Sequence, residues 1–330
     1  MADIAPIATT TDEAALLAGA AAGSEPAFHA LVEAHHRALE IHCYRMLGSA
    51  QDAEEIVNDV LLRAWRHAGR FDGRAAVRTW LYRIATNACL DELRRRRRQP
   101  DTFPQPYPDA LAQEAAEPIF DPAARYARRE GLELAFLSAI QQLPGRQRAV
   151  LILRDVLGWT APEVAETLET SAVAVNSALQ RARATIDADL PAARAPVPRI
   201  AAATERALVD RYVAAWERDD VDGIVALLRE DAVLRMPPGR HVRGLADIAA
   251  FLRERVADRV MATTQLTPTR ANHQPALLLH RRTDTGLEPY GVVVFTIDGD
   301  AVGDIELFRD TATPRLFARV HDWSQDAQRR

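Results

Sequence analysis

The stretch GWTAPEVAETLETSAVAVNSALQRARATID, Gly158–Asp187, decides the fold of the central part of this chain. Thr160 and Glu163 have the spacing of a capping box, in which each side chain accepts a hydrogen bond from the other residue's free backbone amide. Trp159 and Val164 have the spacing of the matching hydrophobic staple. The stretch therefore predicts two short helices joined by a tight turn, which is the arrangement of a helix-turn-helix.

The second helix of this pair has two different faces when its residues are placed at steps of 100°. The face predicted to point to the core carries Val175, Ala178, Leu179, Ala182 and Ile186. The opposite face carries Val173, Asn176, Ser177 and Gln180, with Arg181 and Arg183 on its flanks. Short polar residues between arginines suit a helix that reads base edges in the major groove and holds phosphates on either side. An ordinary solvated helical face is the alternative.

A run of five arginines, Arg94–Arg98, stands out in a chain of 330 residues whose formal net charge is −5. All 41 basic residues of the chain are arginines. Arginine's planar guanidinium suits bidentate contacts with phosphates and bases. A charged last helical turn is the simpler explanation, but it stabilises a helix by only about 0.3–1 kcal/mol, which does not call for five arginines.

The helix that precedes this run also has two faces. Its predicted core face carries Val77, Leu81, Ile84, Ala85 and Ala88. Its polar stripe carries Thr79, Arg83, Asn87, Arg94 and Arg98, with Trp80 at the edge. An aromatic ring among basic residues suits single-stranded nucleic acid, because unstacked bases find a ring to stack on and phosphates find charge.

The helix one step earlier in the chain has an acidic and apolar face. Its members are Asp52, Glu55, Asp59, Leu62 and Trp65. Such a surface repels DNA and favours contact with a protein, although the spacing alone fits a solvated helix equally well.

Two proline-rich stretches divide the chain into blocks. Residues 99–122 form an acidic linker in which we expect no helix, and residues 191–199 form a second linker. We expect a disordered tail over residues 1–23, helical blocks over 24–98 and 123–190, and a third block over 200–330. The third block reads as helices followed by a series of strands, which predicts an α+β domain.

Pocket-lining candidates in the third block are aromatic, histidine and methionine residues. They are Tyr212, Trp216, Met236, His241, His280 and Tyr290. An isomerase needs a carboxylate base and a buried acid around one pocket, and no spacing here singles out such a pair. We therefore expect no catalytic residue, and a regulatory role ranks above catalysis.

Other classes of protein are disfavoured by what the sequence lacks. Cys43 and Cys89 form no metal-ligand pattern, so we expect no metal and no cofactor. The N-terminus does not read as a signal peptide, and no apolar run approaches the ~18 residues of a membrane span. We expect a soluble, cytoplasmic protein without a membrane partner.

Together these motifs resemble the extracytoplasmic-function group of bacterial RNA polymerase sigma factors, over residues ~25–190. DAEEIVNDVLLRAWRHAGRF is similar to the segment that grips the clamp coiled coil of core RNA polymerase. RTWLYRIATNACLDELRRRRR is similar to the segment that melts and reads the minus-ten promoter element. The segment from Leu143 to Ile186 is similar to the domain that binds the minus-thirty-five element and the polymerase flap.

The resemblance implies roles for the faces described above. The residues that would bind polymerase are Asp52, Glu55, Asp59, Leu62 and Trp65. Those that would bind the minus-ten strand are Thr79, Trp80, Arg83, Asn87, Arg94 and Arg98. Those that would read the minus-thirty-five element are Val173, Asn176, Ser177, Gln180, Arg181 and Arg183. The recognition helix reads VNSALQRAR where the family often has VKSRLHRAR, so Asn176 and Ala178 replace two expected contacts. Asn and Gln can pair bidentately with adenine.

The third block resembles the SnoaL-like branch of the cone-shaped α+β fold shared with nuclear transport factor 2. The resulting fold class is multidomain, with two all-α sigma domains followed by an α+β cone. The function implied is promoter recognition and melting for transcription initiation, with the third block as regulator and candidate binder of a small molecule. A stand-alone helix-turn-helix regulator, or a DNA-binding module fused to a small-molecule enzyme, is the alternative.

Overall fold

The computed structural model describes residues 10–71, 76–96, 104–113, 133–189, 201–237, 239–309 and 313–317. These residues form two compact units. The first, the helical unit, contains residues 10–96 and 143–183. The second, the sheet unit, contains residues 104–113, 133–142 and 184–317. Arg98 and the linker over 191–199 lie outside the described residues.

Both units are built from regular elements. The helices are α1 (Thr10–Ala21), α2 (Glu25–Leu47), α3 (Ala50–His67), α4 (Val77–Arg96), α5 (Asp109–Gln113), α6 (Leu134–Gln141), α7 (Gly145–Leu151), α8 (Ala161–Thr167), α9 (Ala172–Asp189), α10 (Ala202–Glu217), α11 (Val221–Val225), α12 (Leu245–Ala257) and α13 (Val260–Thr263). The strands are β1 (Leu228–Met236), β2 (Arg240–Arg243), β3 (Thr264–Ala271), β4 (Gln274–Thr283), β5 (Gly286–Asp298) and β6 (Ala301–Phe308).

The expectation of a disordered tail over residues 1–23 is wrong for residues 10–21, which form α1. Alanine and leucine dominate this segment and are strong helix formers. Ala20 is buried, and a Cβ at Gly19 would come within 2.8 Å of the Ala27 Cβ. The small residues of α1 therefore let it pack closely on α2.

The helix-turn-helix forms as its sequence predicts. The capping box of Thr160 and Glu163 begins α8, and the Ser171 hydroxyl accepts from the Ala174 amide at 3.2 Å to begin α9. The turn between the two helices contains Glu169 in the left-handed region, at φ 52°. The predicted core face of α9 is confirmed, with Val175, Leu179, Ala182 and Ile186 buried and Ala178 half-buried.

Helix α4 is buried over more than its predicted core face. Val77, Leu81, Ala85 and Ala88 are buried as expected, but so are Tyr82, Thr86 and Cys89. Tyr82 packs against Trp159 of the helix-turn-helix, with ring centroids 5.5 Å apart. Helix α4 therefore packs against α2 on one side and against the helix-turn-helix on another.

The sheet unit contains a six-stranded sheet with the strand order β2-β1-β6-β5-β4-β3. Neighbouring strands are antiparallel, except that β1 and β6 are parallel. The ladder between β4 and β5 shifts register after Leu279, because Tyr290 is an extra residue on β5 between the partners Gly291 and Pro289. The expected α+β domain is confirmed.

Apolar side chains cover both faces of the sheet. One face, with Leu279, Phe295 and Ile305, packs against α10, α11 and α12. On the other face, Leu278 and Val294 join a cluster that includes Leu134, Phe308 and Phe317. Two buried faces explain why β4 and β5 read as nearly continuous apolar runs rather than as a strict alternation.

Part of the acidic linker packs on the sheet unit. The Tyr107 amide donates to the Asn272 Oδ1 at 2.8 Å, and the Asn272 amide donates to the Tyr107 carbonyl at 2.9 Å. Asp109 is buried and accepts from the His273 amide (2.6 Å) and from Arg270 (3.2 Å). The expectation of no helix in the linker is wrong for α5, because Pro108 lies just before its first turn, where no helical amide is needed.

Helix α6 belongs to the same packing. Leu134 is fully buried in the second face of the sheet, and its amide donates to the Gln274 Oε1 at 3.1 Å. The expected helix-turn-helix block runs from residue 123, yet in the structure α6 packs with the sheet unit and only α7 to α9 pack with the helical unit. The sheet unit is thus built from residues on both sides of the helix-turn-helix.

Candidate nucleic-acid interface

The exposed stripe of α4 brings four of its candidate residues onto one surface. Thr79, Trp80, Arg83 and Asn87 are all half-buried. The ring of Trp80 packs against Phe71 with centroids 4.9 Å apart and planes inclined by 42°. Trp80 is therefore held in place by an aromatic neighbour, which suits a platform on which an unstacked base can bind.

Arg83 has a partner in the helix-turn-helix. Its Nη2 donates to the Glu169 Oε1 at 2.6 Å, across 86 positions of the chain. The two side chains retain 42% and 70% of their exposure, so solvent screens this ion pair. The residue expected to hold a nucleic-acid phosphate is thus bound to a carboxylate of the same chain.

The arginine run is largely paired with acidic residues of its own unit. Arg94 pairs with Asp91, and Arg95 donates to Glu92 through two bonds of 2.8 Å. Arg96 pairs with Glu92 at 2.6 Å and with Asp52 at 2.8 Å. Hydrogen bonds from Arg95 and Arg96 hold the pKa of the Glu92 carboxyl at about 2, so these pairs persist at neutral pH.

The acidic and apolar face of α3 keeps its expected residues on the surface, with different exposures. Leu62 is 56% exposed, which is unusual for a large apolar side chain, whereas Asp52 is paired with Arg96 and Asp59 with Arg63 (2.5 Å). Glu55 is exposed and accepts from Gln51. Trp65 is half-buried against Phe28, with centroids 5.1 Å apart.

The outer face of α9 is open to solvent along its length. Val173 is 76% exposed, and Asn176 and Gln180 are exposed as well, while Ser177 is half-buried. Arg183 makes a two-bond contact with Asp155 (2.9 and 2.6 Å), which ties the C-terminal half of α9 to the segment before α8. Arg181 is exposed on the flank.

Beneath the stripe, α2 and α4 share a buried polar contact. The His42 Nε2 lies 2.9 Å from the Thr86 hydroxyl. Burial, reinforced by the positive charge of Arg45, lowers the pKa of His42 to about 3, so this imidazole is neutral at physiological pH. Burial of this pair in the interior fixes the rotation of α4, and with it the direction in which Asn87 and Arg83 point.

A cavity lies between the helices and the first face of the sheet. Of the six pocket candidates, Tyr212, Trp216 and Tyr290 line it. The other three candidates are not among its lining residues: Met236 is buried in the same core, His241 is exposed on β2, and His280 follows the lining residue Leu279 on β4.

Several residues that the structure makes important carry no strong signal in the sequence. Glu169 and Tyr82 join the helix-turn-helix to α4, and Asp109 joins the linker to the sheet unit. Tertiary contacts reveal these roles.

Comparison with sequence families gives three matches in chain order. The family description Sigma-70 region 2 matches residues 31–99, Sigma-70 region 4 matches residues 133–186, and the SnoaL-like domain matches residues 209–304. In the part of the chain that the structure describes, no helix is long and apolar enough to cross a membrane.

Proteins similar to this chain include bacterial sigma factors. The ECF RNA polymerase sigma factor SigG of Mycobacterium tuberculosis is 36% identical over 318 residues, which cover 88% of this chain and 84% of SigG. SigM of the same organism is 36% identical over 172 residues, covering 52% of this chain and 81% of SigM. The crystal structure of the Mycobacterium tuberculosis extracytoplasmic function sigma factor SigJ shares the fold, with a TM-score of 0.60 at 23% identity, over 85% of this chain and 95% of SigJ.

Proposed function

The chain belongs to the extracytoplasmic-function sigma factors of RNA polymerase, and on that premise we propose how its parts divide the work of promoter recognition. The observation that supports this division of work is that one chain matches Sigma-70 region 2, Sigma-70 region 4 and the SnoaL-like domain in order. Each surface described above has a chemistry suited to one partner.

The stripe of α4 binds the melted strand of the minus-ten element. Trp80, braced by Phe71, supplies a stacking platform, and Thr79 and Asn87 supply hydrogen bonds beside it. Arg83 supplies charge for a phosphate once it leaves Glu169. Arg94, though paired with Asp91, is exposed and extends the same stripe, and Arg98 follows it in the sequence.

The outer face of α9 reads the minus-thirty-five element. Asn176 and Gln180 are exposed amides one helical turn apart, and each can make two hydrogen bonds to an adenine. Val173 offers an apolar contact to a thymine methyl, and Ser177 a short polar one. Arg181 and Arg183 flank the face, where DNA phosphates would lie.

Core RNA polymerase binds α3 through its clamp coiled coil and the helix-turn-helix domain through its flap. Leu62 is the natural anchor on α3, because an exposed apolar side chain gains free energy when a partner covers it. Asp52, Glu55 and Asp59 surround it with negative charge, and Trp65 follows at the end of the face. The acidic rim favours a basic partner surface and keeps DNA away.

The packed helical unit is a resting form that must open on a promoter. Elements centred about 25 base pairs apart lie roughly 85 Å apart along B-DNA, at about 3.4 Å per pair. Helix α4 and the helix-turn-helix touch through the pairs Arg83–Glu169 and Tyr82–Trp159, so they cannot reach both elements together in this arrangement. Binding to polymerase would supply the free energy for separation.

The sheet unit regulates initiation by holding the connection between the two promoter-binding regions. The support is the set of contacts that Tyr107 and Asp109 make with Asn272, His273 and Arg270. A linker fixed in this way limits how far regions 2 and 4 can separate. Catalysis has no comparable support, because the described residues that line the cavity include no Asp, Glu or His.

Two experiments test this division of work. The purified chain should co-elute with core RNA polymerase, and failure to form that complex would overturn the assignment of α3. Asp109→Asn removes the charge that Arg270 pairs with, while it preserves the size of the side chain. This variant should change the amount of run-off transcript without moving the start site. The control Arg243→Gln, on β2, should leave the amount of transcript unchanged. Equal transcript levels from both variants and the natural chain would contradict the regulatory role.

A further inference from the structure

The three arginines that end helix α4 lie on different sides of it. Successive residues of an α-helix are about 100° apart, so Arg96 lies about 200° around the axis from Arg94. Arg94 continues the stripe assigned to the minus-ten strand, whereas Arg96 follows Glu92 by one turn on the other side of the helix. The arginine run therefore does not serve a single surface.

Arg96 reaches from α4 to the neighbouring helix α3. Its guanidinium pairs with Asp52 of α3 at 2.8 Å and with Glu92 of its own helix at 2.6 Å. The Arg96 and Asp52 side chains retain only 19% and 27% of their exposure, so solvent screens this pair less than it screens a fully exposed one. Arg96 thus joins the end of α4 to the start of the acidic and apolar face of α3.

Asp52 depends on Arg96 for its orientation. It lies in the first turn of α3, where its amide donates to the Ser49 hydroxyl at 3.3 Å. Over the described ranges of the chain, its carboxylate forms an ion pair with Arg96 alone. An ion pair that holds one rotamer lowers the conformational entropy that a partner must remove on binding. Arg96 therefore prepares the first acidic group of the α3 face for a partner.

Arg95 presents its charge beside the same face. Hydrogen bonds to Glu92, together with the charges of Asp52 and Glu55 on α3, raise the pKa of Arg95. Glu92 accepts two bonds of 2.8 Å from Arg95, yet the Arg95 side chain is 78% exposed. The last turn of α4 therefore adds an accessible cation next to the acidic residues of α3.

We propose that the last turn of α4 belongs to the polymerase-binding surface, with Arg96 as the positioning residue for Asp52 and Arg95 as an exposed contact. The matching surface of core RNA polymerase carries a basic group opposite Asp52 and an acidic group opposite Arg95. The α3 face alone is about 20 Å long and one helix wide, far less than the roughly 800 Å² per partner of a standard interface. This inference rests on the proposed binding of polymerase to α3.

Substitutions within the arginine run test the division. The affinity of the full chain for core RNA polymerase is measured first, and the affinity of the resulting holoenzyme for promoter DNA second. Arg96→Gln should weaken polymerase binding about fivefold, and Arg95→Gln should weaken it several-fold. Arg94→Gln should leave polymerase binding unchanged and weaken promoter binding instead. Arg66→Gln, on the exposed end of α3, controls for the loss of one positive charge and should change neither affinity.

A double-mutant cycle separates positioning from a direct contact. Asp52→Asn should weaken polymerase binding, and Arg96→Gln should add little further loss in the Asp52→Asn background, because Arg96 acts through Asp52. Arg96→Lys, which keeps the charge, should recover much of the affinity. Fully additive losses would overturn the positioning role.

Two further outcomes decide between this inference and the function on which it rests. Equal polymerase affinities of the Arg94, Arg95 and Arg96 variants, with assembly still lost in Leu62→Asp, would overturn the role of α4 alone. Normal assembly of Leu62→Asp would overturn the assignment of α3 itself. Arg95 is too exposed for its substitution to disturb folding, so the Arg95 variant decides the case if Arg96→Gln destabilises the protein.

Discussion

Arg83 of α4 and Glu169 of the helix-turn-helix form an ion pair of 2.6 Å between the two regions that a promoter must hold apart. Arg83 is proposed to bind the minus-ten strand, and Glu169 lies in the turn before α9, the helix proposed to read the minus-thirty-five element. Its partial exposure limits its strength to about 1 kcal/mol or less, so it is weak enough to break on binding. If Arg83 binds a promoter phosphate as proposed, this pair competes with the promoter in the free protein and is weak enough to open.

Glu169→Gln should raise the affinity of the free protein for promoter DNA. The substitution removes the charge that competes with a phosphate for Arg83, and about 1 kcal/mol corresponds to at most about a fivefold gain. Fluorescence anisotropy with a labelled promoter measures the change, which should shrink as salt rises. Glu166→Gln is the control, because Glu166 is exposed on the same helix pair and makes no ion pair within the described chain. Equal promoter affinities of the two variants would contradict a role of the Arg83–Glu169 pair in DNA binding.

Trp80→Ala should impair promoter melting more than polymerase binding. A base that stacks on an aromatic side chain gains about 1–3 kcal/mol, so the loss should reduce open-complex formation by fivefold or more. Permanganate reactivity of unpaired thymines measures melting, and co-elution measures polymerase binding. If both fell by the same factor, the assignment of the α4 stripe would be contradicted.

Leu62→Asp should produce the opposite pattern. Leu62 is 56% exposed, so the change should leave folding intact while it removes an apolar anchor and adds charge. Holoenzyme assembly should fall at least about tenfold, and binding of the free protein to promoter DNA should not change. Arg66→Gln, on the exposed end of the same helix, serves as the control. Normal holoenzyme assembly of the Leu62 variant would contradict the assignment of the polymerase contact to this face of α3.

Glu306 should make the stability of the sheet unit depend on pH. Burial raises the pKa of this carboxyl to about 7, against the attraction of Arg235 at 4.0 Å. Because the folded pKa exceeds the unfolded value, the native state binds more protons, and stability falls as pH rises from about 4.5 to about 7. Glu306→Gln should therefore stabilise the protein at pH 8, by roughly 3 kcal/mol at most, and should have a much smaller effect near pH 4.5. Denaturant unfolding at both pH values measures the difference. An equal change in the free energy of unfolding at both pH values would contradict the effect of burial on Glu306.

Local chemistry allowed much of the structure to be predicted, and tertiary packing explains what was missed. The capping box and the α9 core face follow from short-range spacing, and both form as expected. The burial of Tyr82 could not be predicted, because it depends on Trp159, which lies far away in the chain. The docking of Asp109 on Arg270 spans a still longer separation.

The residues that line the cavity could likewise be predicted only in part. Tyr212, Trp216 and Tyr290 could be named from the sequence as aromatic candidates, and all three line the cavity. His280 is not among the lining residues, because it alternates with Leu279, and the sequence alone does not show which face of β4 carries the cavity.

The central claim is that this chain directs RNA polymerase to a defined set of promoters. The most direct measurement is transcription of sheared genomic DNA by core polymerase with and without the purified chain, followed by sequencing of the 5′ ends of the transcripts. We predict new start sites that share one sequence element about 10 and another about 35 base pairs upstream, the spacing that α4 and α9 would bridge after opening. Start sites unchanged from those of core polymerase alone, with no complex formed, would contradict the account.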